Sequence, residues 1–184
     1  MGGESTLARS LHDVGGAAWF GGSLMGAVGV NGAAAEVSEP GQRARVANAG
    51  WARWTPVNLA AIAAHLVGGA GLMRDNAGRV ALQKGAGAAN VAKLALTGAA
   101  LGATAYARAL GQKVMDAGDV PVEGGTSPSG STPPDVADAQ RQLAMLQWAI
   151  PALTGAIMVL GAKMGEQQRP RHVSRGVLDR LLPG

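Results

Sequence analysis

Long uncharged runs alternate with charged clusters along the chain, and the runs are too long for the strands of a soluble sheet. Val14 to Ala35 lies between Asp13 and Glu36 without a single charge. At about 1.5 Å rise per residue a helix of that length crosses a hydrocarbon core of roughly 30 Å. Its Ala33, Ala34 and Ala35 resemble a signal-cleavage site, but the run is longer and richer in glycine than a signal core, so we read it as a retained span. The second run, Trp54 to Met73, lies between Arg53 and Arg74, with Trp51 and Trp54 at its start where indole rings favour an interface. The third, Gly85 to Ala107, lies between Lys84 and Arg108 and contains one charge, Lys93. The fourth, Gln142 to Ala162, lies between Arg141 and Lys163 and should kink at Pro151, whose ring removes an internal hydrogen bond. All four are of the length that a membrane-crossing helix needs.

Two other segments have a different pattern. Residues 116–138 collect Gly124, Gly125, Ser127, Pro128, Ser129, Gly130, Ser131, Pro133 and Pro134, a composition expected to form a loop without a core. In the basic tail, 164–184, Val173, Val177, Leu178, Leu181 and Leu182 recur at helical spacing opposite Arg175 and Arg180, which predicts a short interfacial helix. The pattern therefore predicts an all-α, polytopic membrane protein. Residues 1–184 would form one membrane domain, a four-helix transmembrane bundle with spans at 14–35, 54–73, 85–107 and 142–162 and a short basic amphipathic C-terminal helix.

Composition adds exclusions and an orientation. A mean hydropathy of +0.12 averages the runs with polar loops and decides nothing by itself. The absence of cysteine rules out disulfides, thiolate metal sites and cysteine nucleophiles. A net charge of +4 could suggest nucleic acid, but basic residues beside membrane spans have a simpler cause in topology and anionic lipid, so no nucleic-acid partner is expected. One set of alternate loops carries nine Lys and Arg (Arg9, Arg74, Arg79, Lys84, Lys163, Arg169, Arg171, Arg175, Arg180). The other set carries six (Arg43, Arg45, Arg53, Arg108, Lys113, Arg141). That bias places both termini in the cytoplasm and 116–138 outside, with a bacterial cytoplasmic membrane as the expected location. With 29 glycines against one Phe, one Tyr and four Trp, helices are expected to pack through small residues. The candidate contacts are Gly22 with Gly26, Gly98 with Gly102, and the stripe Ala60, Ala64 and Gly68.

Chemistry concentrates at His65 and Lys93, the ionisable residues inside the proposed spans besides Tyr106. His65 precedes Met73 by 8 positions and Lys93 follows Gly85 by 8, so a hairpin of spans two and three would set both at one level, roughly 12 Å deep. Asn90, Lys93 and Thr97 share a helix face, and Asn58 stands two turns before His65. The expected result is a polar seam of His65, Lys93, Thr97, Asn58 and Asn90 able to hold a ligand, because charges within a bilayer face the protein interior or water. The plainer alternatives are a Lys93 that snorkels to the interface and a neutral His65 bonded to a neighbouring helix. No metal or cofactor is expected, since one buried histidine cannot complete a ligand shell. No catalytic residues are assigned: Ser23 is the one serine in a span and no carboxylate lies in any, which makes an enzyme the less favoured reading.

The leading functional expectation is therefore a non-catalytic accessory or scaffold subunit of a larger membrane assembly, in contact with lipid and with a partner membrane protein or further copies of itself. The alternative is a small-molecule carrier or channel, or a lipid- or quinone-binding module, that uses the seam between spans two and three.

Overall fold

The computed structural model describes residues 2–75 and 86–166, and it is 86% helical. The all-α expectation holds. The first rod is α1 (Gly2–Met25), a π-helical turn at Gly26–Val30, and α2 (Asn31–Ala35). It is followed by α3 (Pro40–Asp75), α4 (Ala86–Asp116) and α5 (Pro134–Glu166), each longer than the apolar run it overlaps. The helix boundaries follow local chemistry. Pro40 and Pro134 open their helices, where a proline's missing N–H is no loss, and Asp135 places a negative charge in the first turn of α5. After α4, Gly118 takes φ +74° and its N–H donates to the Met115 carbonyl, a left-handed stop that suits glycine. α5 runs through Pro151 without interruption, and Thr154 Oγ1 donates to the Ile150 and Pro151 carbonyls at 2.8 and 3.2 Å.

The helices pair differently from the expected hairpin of spans two and three. α3 packs along α1 and α4 along α5, while α3 and α4 meet only sparsely. Glycine decides the first pairing. A Cβ placed on Gly15 would lie 2.4 Å from the Ala61 carbonyl oxygen, and one on Gly68 would lie 2.4 Å from Ala8 O and His12 N, so the α1 and α3 backbones touch. Gly22 and Gly26 accept the rings of Trp54 and Trp51. Gly98 and Gly102 do not make the expected internal contact, because nothing lies within 4 Å of either Cβ position. The rods also join at one central cluster, where Trp19, Ile62, Ala100 and Ile157 come from α1, α3, α4 and α5.

The stretch read as a coreless loop is structured. β1 (Val122–Gly124) and β2 (Ser127–Pro128) form an antiparallel pair with Val122 opposite Pro128. Val122 is fully buried against Ala44, Leu110, Val114, Val136 and Ala139. Its backbone is held by side chains, which a composition count cannot foresee. Gln140 Nε2 donates to the Gly124 and Gly125 carbonyls at 2.9 and 3.3 Å, and Arg43 Nη1 donates to the Val122 carbonyl at 3.4 Å. Thr132 Oγ1 donates to the Pro121 carbonyl at 2.6 Å.

Beside the apolar cores, several polar side chains are buried and several large apolar ones are exposed. His12, Ser23, Asn31, Asn48, His65, Thr97, Gln140 and Thr154 are buried, whereas Val67, Val91 and Val159 are 64%, 67% and 72% exposed. Among the described residues two helices, α3 and α5, are long and apolar enough to cross a membrane by length and composition. The interfacial helix expected in the tail, and the basic residues Arg79 and Lys84, lie outside the described residues.

Candidate functional site

The α1–α3 contact is close enough for two histidines to bond each other's backbone. His12 Nδ1 lies 3.1 Å from the His65 carbonyl oxygen, and His65 Nδ1 lies 2.9 Å from the His12 carbonyl oxygen. A carbonyl only accepts, so each ring carries its proton on Nδ1, and a neutral ring in that tautomer presents Nε2 as an acceptor. The rings lie with centroids 4.0 Å apart, and Trp19 meets His65 edge-on at 6.2 Å. Gly15 and Gly16 permit this approach: a methyl on Gly16 would come within 3.0 Å of the His65 ring.

Lys93 reaches the pair from α4. Its Nζ is in hydrogen-bond contact with His12 Nε2. Because His12 uses Nδ1 as its donor, Lys93 is the donor here and His12 accepts. Asp13, next in sequence, and Arg9, one turn earlier, face the same space. Thr97 is buried, and its hydroxyl donates to the Lys93 carbonyl at 2.9 Å, tying it to its own helix.

Around these groups lies a cavity of about 230 Å³, with walls from α1, α3, α4 and α5. Its polar lining is Arg9, His12, Asp13, His65, Asn90, Lys93 and Thr97, and its apolar lining includes Leu66, Leu72, Met73, Leu94 and Met164. Of the five residues expected to form a seam, His65, Lys93, Thr97 and Asn90 share this cavity. Asn58 does not line it; its Oδ1 is buried without a hydrogen-bond partner, as is Nε1 of Trp54 one turn earlier. The direct partner of Lys93 is a histidine of α1 rather than His65.

Sequence reasoning missed His12 and Asp13 because both precede the uncharged run, on its charged flank. A signal was present: His12, Gly15 or Gly16, Trp19, Ser23 and Gly26 recur at helical spacing, so the polar and small face of α1 extends past the run. The arrangement can hold an anion or a carbonyl, with the Lys93 amine as donor and the imidazoles fixing its position. Among the described residues no group of three or more His, Cys, Asp or Glu is placed to bind a metal ion. No known protein family matches the chain, and neither does any curated protein or solved structure.

Proposed function

We propose that this chain is a multi-pass membrane protein, a four-helix transmembrane bundle with both termini cytoplasmic, that binds a small molecule in the cavity around His12, His65 and Lys93. The reading rests on one observation: a cavity among helices whose outer faces are apolar is lined by buried groups that convergent packing has brought together from three helices. The exposed apolar faces of α3 and α5 support the membrane setting. Only 11% of the most apolar stretch of α3 and 22% of that of α5 is buried, whereas a core helix of a water-soluble domain would be mostly covered. The positive-inside bias supports the orientation and puts the cavity at the cytoplasmic end, near Arg9 and Arg74. Binding rather than catalysis is favoured because the Ser23 hydroxyl is tied to the Trp19 carbonyl at 2.8 Å.

The test is equilibrium binding by the full chain in nanodiscs, using a panel of one long-chain carboxylate, one isoprenoid quinone and one neutral monoacylglycerol. At least one member should bind saturably, and Lys93→Met or His65→Ala should weaken it about tenfold while the helical circular dichroism signal persists. A panel with no saturable binder, or folded variants that bind as the parent does, would refute the reading.

A second reading, an accessory subunit of a larger membrane assembly, is favoured by the uncovered face of α4. Ala95, Gly98, Ala99 and Gly102 all lie exposed on one stripe that a partner membrane helix could approach closely. Purification in mild detergent followed by mass spectrometry should then recover a stoichiometric partner that Gly98→Leu with Gly102→Leu releases. A protein that migrates alone as a monomer ends this reading.

A further inference from the structure

Given a ligand in this cavity, the geometry points to a class: we infer that the site takes a single-chain lipid carboxylate, entering sideways from the bilayer between α3 and α4. The inference rests on the binding function proposed above and adds the charge, shape and route of what is bound.

Charge comes first. Arg9 and Lys93 bring cationic groups and Asp13 an anionic one, while His12 and His65 each give an Nδ1 proton to a backbone carbonyl and His12 Nε2 faces the Lys93 amine. Arg9 and Asp13 are exposed and of opposite sign, which leaves the half-buried Lys93 ammonium as the charge at the inner side of the cavity, a match for one carboxylate rather than a doubly charged phosphate. A neutral quinone would leave that charge uncompensated in a partly desolvated site, a costly arrangement.

Size comes second. About 230 Å³ is below the roughly 300–1,000 Å³ of sites that enclose a whole drug-sized ligand. It suits a small flat head and the first few methylenes, with the rest of the chain outside. A glycerophosphate head with two acyl chains does not fit those terms.

The route follows from which helices fail to meet. α3 and α4 touch only sparsely, and the cavity lining on either side of that gap ends in Leu66 and Met73 on α3 and Leu94 on α4, which are 40%, 46% and 53% exposed. Val67 and Val91 continue the apolar surface beside them. Arg9, Asp13 and Asn90 form the polar side of the cavity. A chain lying across the Leu66 and Leu94 rim thus has its tail in lipid and its head at Lys93.

The experiment measures binding of tritiated palmitate to the full chain in nanodiscs, with competition by hexadecanol, acetate, an isoprenoid quinone and phosphatidylglycerol. Palmitate should bind saturably, and each competitor should be at least tenfold weaker, showing that the charge, the chain and the single-chain carboxylate head are all needed. Lys93→Met should reduce palmitate affinity at least tenfold, and Lys93→Arg should restore most of it. Leu94→Trp, at an exposed rim position that tolerates bulk, should slow palmitate entry at least fivefold even if Lys93→Met does not fold. Equal competition by hexadecanol, the quinone or phosphatidylglycerol overturns this inference while leaving a ligand-binding protein in place. If nothing in the panel binds at all, the underlying function fails with it.

Discussion

Gly68→Ala tests the contact on which the site depends. The added methyl would sit 2.4 Å from both Ala8 O and His12 N, and these are backbone atoms that no rotamer change can move. Ordinary van der Waals contact begins near 3.4 Å, so α1 and α3 must separate by about 1 Å here. That shift would stretch the reciprocal histidine bonds from 3.1 and 2.9 Å to about 4 Å, beyond hydrogen-bond range. Overpacking costs about 1–3 kcal/mol, and each lost buried bond about 0.5–1.5 kcal/mol. The gain in helix propensity from Gly to Ala returns up to about 1 kcal/mol, leaving a net destabilisation of about 3–4 kcal/mol at mid-range. Reversible unfolding in mixed micelles, followed by circular dichroism, measures this directly. Gly21→Ala is the control, since nothing lies within 4 Å of its Cβ position, and it should be neutral or slightly stabilising. A Gly68→Ala protein within about 0.5 kcal/mol of that control would show that the backbones are not in contact and that the histidine pair is not held as described.

Other consequences can be checked independently. Gln140→Leu removes the donor that holds the Gly124 and Gly125 carbonyls, and should cost about 1–3 kcal/mol; hydrogen exchange should accelerate across 122–128 while the centre of α3 stays protected. Trp19→Phe loses the 3.2 Å bond from Nε1 to Thr104 Oγ1 and should cost about 1 kcal/mol in the same unfolding assay. Because the chain has no cysteine, single introduced cysteines report topology cleanly: Ser131→Cys should react with an impermeant maleimide in intact cells, and Thr6→Cys only after lysis. The opposite labelling pattern would invert the proposed orientation.

What the sequence revealed and what it hid divide along a physical line. The uncharged runs place the helices, because a long apolar stretch is a local, one-dimensional property of the chain. His65 and Lys93 do line one cavity, but through α1, since the direct partner of Lys93 is His12. Helix pairing was not readable. It depended on which glycines happened to face a neighbour: Gly15 and Gly68 do, and Gly98 and Gly102 do not, although all look alike in sequence. The role of His12 was hidden for the same reason, because its partner on α3 lies 53 positions away. The loop at 116–138 misled through composition, since it is ordered by Gln140 and Arg43 from helices rather than by a core of its own.

The pairing of α1 with α3 also has a bearing on the order of assembly. Both bonds of the histidine exchange lie within residues 2–75, so this pair can be complete before α4 leaves the ribosome. In the proposed four-span topology a helix carrying Lys93 would be costly to insert alone, by up to about 2.5–3.5 kcal/mol for a charged residue at mid-bilayer. When α4 arrives, His12 Nε2 already stands as an acceptor and Asp13 beside it as a counter-charge. In the proposed bundle the first hairpin would thus be a receiving site for the second, with the helix that carries Lys93 following the groups that make it tolerable in lipid.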